Sequence, residues 1–274
     1  MIPISYHSAA GLSYLACDGE GMPVVLLHGI GSNAQSYVPL MQALAGRYPT
    51  LAWDAPGYGS SQELSQDWPD ASDYAAALDR LLERVRISRC VVAGHSLGAL
   101  IAVRYAVTAL DRVAALVLIS PALGYESEKG APLPAGVARR IEELDRLGAE
   151  GFAAARSPGL LADPAGHPDI LQAVERAMAA VRRPGYDQAA RLLAVGRLID
   201  DAAEVEVPTA VLVGTQDRIT PPAHVRRAFD ALPEPQRHRY REFDNAGHAI
   251  CQEQPAAVAQ AIGELIESRA NADA

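Results

Sequence analysis

Three residues of this chain have the types and settings suited to covalent chemistry, and each lies in a short turn marked by glycine. They are Ser96 in Gly94-His95-Ser96-Leu97-Gly98, Asp217 in Gly214-Thr215-Gln216-Asp217, and His248 in Gly247-His248. A serine hydroxyl is a poor nucleophile at neutral pH until a base takes its proton, and a neutral imidazole is suited to that task. A carboxylate against the imidazole fixes its tautomer and stabilises the cation formed when the proton arrives. Together the three types point to acyl transfer, with Ser96 attacking, His248 as base and Asp217 orienting it.

That chemistry needs elements that bring the three turns together. Cys90 to Ala93 is an apolar run that reads as a buried strand, and Ala99 to Ala106 is long and alanine-rich enough for a helix. Gly94 to Gly98 between them fits G-x-S-x-G in its strand-turn-helix setting, where two glycines let strand and helix close over the serine. The Leu97 amide then opens a helix, has no partner within it, and is free to stabilise an oxyanion. Asp217 follows the apolar run Thr209 to Val213, and His248 follows the alternating run His238 to Phe243. Asp54 is a competing acid, but it precedes Ser96 in a Pro- and Gly-marked loop and reads as a loop organiser.

Further apolar runs at Val24 to Leu27, Thr50 to Trp53 and Val113 to Ile119, and a half-exposed one at Leu12 to Ala16, read as strands. Helix-length segments separate most of them, with stripes over Gln35 to Tyr48, Ala71 to Val85 and Pro255 to Ser268; the tail from Arg269 to Ala274 is expected to fray. Almost wholly apolar strands alternating with helices predict an α/β fold, a mostly parallel doubly wound sheet flanked by helices. Between Ile119 and Thr209 no strand pattern occurs, and the periodicity is helical in three stripes (137–147, 170–181 and 186–199) separated by Pro and Gly. This predicts an all-helical cap over 122–206 and a core domain of 1–121 and 207–274.

The order Ser96, Asp217, His248, with His28-Gly29-Ile30-Gly31 after an inner strand, resembles the α/β-hydrolase superfamily over nearly the whole chain, in the branch with a helical cap. The Gly29-Ile30-Gly31-Ser32-Asn33 loop, the Trp53 to Gly59 turn and Gly94 to Ala99 are similar to 3-oxoadipate enol-lactonases and small-ester hydrolases. The resemblance implies a cap inserted after the sixth core strand. It also implies a second oxyanion amide from the loop after Val24 to Leu27, assigned by position to Ile30, with His28 holding that loop. The expected activity is hydrolysis of a small carboxylic ester or lactone through an acyl-enzyme. Carbon–carbon hydrolases of ring-cleavage products share the three residues, and a ligand receptor on the same fold with slow hydrolysis is the non-enzymatic alternative. Cap arginines Arg156, Arg182 and Arg183 are candidates to clamp a substrate carboxylate.

Composition narrows the partners. A formal net charge of -9 argues against nucleic acid and anionic membrane surfaces. No apolar run approaches the roughly 20 residues of a membrane span, and the first residues lack a basic and then apolar leader pattern. Cys17, Cys90 and Cys251, odd in number and far apart, suggest reduced thiols in a cytoplasmic protein. No ligand spacing suggests a metal or an organic cofactor. The expected partner is a small-molecule ester or lactone, with monomer and homodimer both open.

Overall fold

The computed structural model describes residues 2–272, with side chains through Arg269. Its strands are β1 (Ile4–Ala9), β2 (Leu12–Cys17), β3 (Val24–Leu27), β4 (Thr50–Trp53), β5 (Cys90–His95), β6 (Val113–Ile119), β7 (Thr209–Gly214) and β8 (Arg237–Phe243). They form one sheet in the order β1-β2-β4-β3-β5-β6-β7-β8, parallel from β4 to β8, with β1 and β2 added antiparallel at one edge. The inner strands β3 and β6 are apolar at every position because both sheet faces are covered. Alternate residues go to opposite faces: Val25 and Leu27 join one core, Val24 and Leu26 the other.

The first face carries α2 (Ala71–Arg84), α3 (Leu97–Thr108) and α8 (Pro222–Ala231); the second carries α1 (Val38–Leu44), the one-turn α9 (Ile250–Glu253) and α10 (Pro255–Ala272). α2 begins where Asp70 accepts the Ser72 and Asp73 amides while the Asp73 carboxylate accepts the Asp70 amide, a reciprocal cap. Its Tyr74, Leu78, Leu81 and Leu82 recur at helical spacing and are buried against the sheet.

Several elements differ from the sequence expectation. β1 was not anticipated, because this edge strand is mostly exposed and carries no apolar pattern. The helix expected over 35–48 is a 3-10 turn (Ala34–Tyr37) followed by the shorter α1. α8 hides behind Pro221-Pro222, and among its residues only Val225 and Ala228 are buried. The last helix runs on to Ala272, so the tail expected to fray is helical as far as the description reaches, and 273–274 lie outside the described residues.

Between β6 and β7 come α4 (Ala135–Arg156), α5 (Pro168–Ala179), α6 (Gly185–Val195) and α7 (Leu198–Ala202). The third expected stripe is two helices, since α6 stops at Gly196. Within α4, Gly148 has φ 67 and ψ 171, a conformation nearly confined to glycine, and it breaks the helix into two segments. This helical insertion is fastened on two sides. At one, Gly57 and Gly185 meet backbone to backbone, Arg182 donates to the Gly59 and Ser61 carbonyls, and Gln188 donates to those of Leu64 and Gln66. At the other, the Ala249 amide donates to the Leu160 carbonyl at 2.9 Å. Among the described residues no helix is long and apolar enough to cross a membrane.

Candidate active site

Ser96 stands between β5 and α3 with φ 53 and ψ -116, a sparsely populated conformation that costs roughly 1–3 kcal/mol. Three backbone hydrogen bonds hold it there. Its amide donates to the Ile119 carbonyl (2.9 Å), and its carbonyl accepts from Ala99 (3.0 Å) and Ala122 (3.1 Å). The turn closes only because of its glycines: a Cβ on Gly94 would strike the Gly98 carbonyl, and one on Gly98 would strike the Leu27 and His28 carbonyls. The Ser96 hydroxyl is not spent on capping α3. Leu97 is the first residue of that helix, so its amide has no intrahelical acceptor.

β7 and β8, adjacent and parallel, deliver the other two residues. His248 Nδ1 donates to Asp217 Oδ2 at 2.9 Å, and both side chains are buried. Asp217 Oδ1 also accepts the amides of Ile219 (2.8 Å) and Thr220 (2.9 Å), and the Thr220 hydroxyl donates to Oδ2 at 3.0 Å. Burial pushes this carboxyl upward, but the charge and hydrogen bond of His248, with the Thr220 amide, outweigh it and hold it at about 2. Asp217 is therefore ionised at neutral pH. With Nδ1 donating to it, the lone pair of His248 lies on Nε2.

Two further histidines fix the loops. His28 Nδ1 donates to the Gly29 carbonyl (2.9 Å) and Nε2 accepts the Ala55 amide (3.0 Å), tying the loop after β3 to the loop after β4. Burial keeps its pKa below the ordinary value, as an accepting Nε2 requires. His95 Nε2 donates to the His248 carbonyl at 2.8 Å, and burial, reinforced by the nearby His248, pushes His95 down to about 3. Asp54 accepts the Ala34 amide (2.9 Å) and the Ser13 hydroxyl (2.7 Å), and its own carbonyl accepts the Ser61 hydroxyl, so it organises loops as expected from its position.

Ser96, His248, Ile30, Gly31 and His95 line one cavity of about 380 Å³, whose remaining wall comes largely from α4, α5 and Leu160. Among the described residues no cluster of three or more His, Cys, Asp or Glu could hold a metal ion. Cys17, Cys90 and Cys251 are free and buried.

The comparisons with known proteins agree with this architecture. Residues 24–261 match the model of the alpha/beta hydrolase family. The chain belongs to that family. The (E)-2-((N-methylformamido)methylene)succinate hydrolase of Acinetobacter baylyi is 30% identical over 206 residues, 73% of this chain and 74% of that protein. A pimeloyl-[acyl-carrier protein] methyl ester esterase of Aliivibrio salmonicida is 28% identical, covering 79% of this chain and 83% of that one. The enol-lactonase of Burkholderia xenovorans superposes with a TM-score of 0.83 at 22% identity, over 96% of this chain and all of that chain (100%), a likeness of fold.

Of the residues singled out in the sequence, Ser96, Ile30 and His248 line the same cavity, Leu97 follows Ser96 at the start of α3, and Asp217 hydrogen-bonds His248 from behind. The cap arginines are engaged elsewhere. Arg182 is held by the Gly59 and Ser61 carbonyls, and Arg183 by Asp145 and Asp187; neither lines the cavity. Arg156 does line it, but is paired with Glu143 at 2.6 Å. Arg182 and Arg183 lie in the link between α5 and α6, which packs against the Gly57 to Ser61 loop rather than over Ser96, and a proline-marked link gives periodicity nothing to read. Sequence reasoning also missed Glu253, whose carboxylate accepts the Gly247 amide (2.8 Å) beside His248 and the Ala162 amide (2.7 Å) of the insertion.

Proposed function

We propose that the chain is a serine hydrolase that cleaves a small carboxylic ester or lactone through an acyl-enzyme. One observation carries this reading: Ser96 and His248 open into a single small cavity, and His248 is backed by an ionised, four-fold hydrogen-bonded Asp217. In the first step the Ser96 hydroxyl attacks the carbonyl carbon while His248 takes its proton. The amides of Ile30 and Leu97 hold the oxyanion. His248 then gives the proton to the leaving alkoxide, which for a lactone stays tethered to the acyl group. Water repeats the sequence, with His248 as base, and releases the acid and free Ser96. Residues 122–206 act as a cap that shapes the acyl pocket and limits water.

The sequence relatives, a methyl ester esterase and a formamido-methylene succinate hydrolase, support hydrolysis of carboxylic acid derivatives.

Steady-state hydrolysis of p-nitrophenyl esters from acetate to octanoate, beside Ser96→Ala, tests the reading. Many turnovers per chain that vanish in the variant are expected, with a short-chain optimum set by the cavity. One product molecule per chain would replace the enzyme by a receptor, since enzymes commonly turn over on the order of ten times per second. Activity unchanged by Ser96→Ala would remove Ser96 as nucleophile.

A further inference from the structure

The first segment of α4 turns Arg140, Glu143, Arg146 and Leu147 toward the cavity, positions that share one helical face. Beyond the break at Gly148, Arg156 lines it too. These charges are not balanced. Glu143 is occupied by Arg156, whose guanidinium also lies 5.3 Å from the Phe152 ring centre. Among the described residues, neither Arg140 nor Arg146 has a carboxylate within ion-pairing distance.

The cavity wall therefore carries three guanidiniums against one carboxylate, a surplus of two positive charges in a chain whose formal net charge is -9. Arg140 is half-buried, and its field reaches inward: burial raises the Tyr186 phenol, and the Arg140 guanidinium opposes that rise. A partly desolvated guanidinium without an anion is poorly compensated, and its planar fork of donors matches a carboxylate. The neutral polar groups lining the same space, Ser32, Ser36 and Gln252, put no negative charge against it.

We propose that Arg140 and Arg146 form a carboxylate-binding subsite, so that the molecule hydrolysed at Ser96 carries a free carboxylate on the portion that reaches α4. This rests on the hydrolase reading above. Both ends of the site lie in one cavity of about 380 Å³, at the small end of ligand pockets, so the carboxylate and the scissile carbonyl belong to one compact molecule. The substrate class is a half-ester or lactone of a short dicarboxylic acid. Arg156, neutralised by Glu143, braces the wall and is not part of the subsite.

The test compares mono-p-nitrophenyl glutarate with p-nitrophenyl pentanoate, which lacks the second carboxylate. The expected ratio of kcat/KM favours the glutarate at least tenfold. In R140Q/R146Q the ratio falls about tenfold, chiefly through KM, and Arg140→Lys lies between because a lysine keeps the charge without the fork. Arg226→Gln, on α8 and paired with Asp230, leaves the ratio unchanged. Ser96-dependent hydrolysis of both esters at equal efficiency would overturn the subsite and leave the hydrolase reading intact.

A second measurement stands apart from turnover: calorimetric titration of the unaltered protein with glutarate and with pentanamide. Glutarate binding that weakens tenfold or more in Arg140→Lys or R140Q/R146Q supports the subsite even where neither ester is hydrolysed. Absence of any glutarate preference overturns it.

Discussion

The His95 imidazole donates a 2.8 Å hydrogen bond to the backbone carbonyl of His248, 153 residues further along the chain. The residue before the proposed nucleophile thus holds the residue proposed as its base, and their ring centres lie 4.7 Å apart. Because the folded His95 titrates near 3, well below its ordinary 6.5, the unfolded chain binds the extra proton between these values. Stability should therefore rise with pH from about 3 to 6.5 and be lost as pH falls through that window. His95→Gln, which can still donate to the carbonyl but does not titrate, should flatten that slope; urea midpoints from pH 4 to 7 read it.

Asp217 gives a second acid-side signature. Its folded carboxyl titrates at about 2 rather than 3.8, so it contributes about 2 kcal/mol above the unfolded value, lost as pH falls from there through about 2. Asp217→Asn should remove that contribution and lower kcat on the order of ten-thousandfold, because the wrong imidazole tautomer is then favoured. Ester hydrolysis at neutral pH checks the first-order effect. An unimpaired kcat would take Asp217 out of the site.

Gly29 faces Ser96 so closely that an added Cβ would stand 2.9 Å from the Ser96 Cβ. In Gly29→Ala one of the two must move, and the strained, triply hydrogen-bonded Ser96 backbone leaves the shift to the Gly29 loop. The variant's kcat should fall on the order of tenfold to a hundredfold as the Ile30 amide moves off line. A fall in kcat with little change in Tm distinguishes this from general damage.

Glu253 binds the Gly247 and Ala162 amides at once. Glu253→Ala leaves both donors short of an acceptor and should cost about 2 kcal/mol, lowering Tm by about 5 °C. The same variant should reduce kcat, since Gly247 precedes His248. Thermal melts and ester kinetics on one preparation measure both.

The sheet was legible where burial forces composition. β3, β5, β6 and β7 are almost wholly apolar because both their faces are covered, and the turns after β3, β5 and β7 hold Ile30, Ser96 and Asp217. β1 was illegible because edge exposure relieves its residues of that constraint. Apolar stripes located the helices of the insertion but not their aim. Val137 and Leu144 are buried as their spacing implies, yet Arg140 and Arg146 on the same segment face the cavity, a placement that the spacing of the stripe does not determine. Glu253 left no local mark, since both of its partners are backbone amides, one of them 91 residues away.

The Gly57–Gly185 contact has a consequence for traffic. Together with the Ala249–Leu160 and Ala162–Glu253 hydrogen bonds and the Arg104–Asp201 ion pair, it makes the insertion a hoop moored around its edge rather than a door on one hinge. Exposed side chains that line the cavity, such as Arg146 and Ile219, change rotamer over picoseconds to nanoseconds, faster than any domain opening. If the proposed ester hydrolysis holds, such a mouth works as a sieve: it would discriminate by girth, and the acid product would leave by the aperture that admitted the ester.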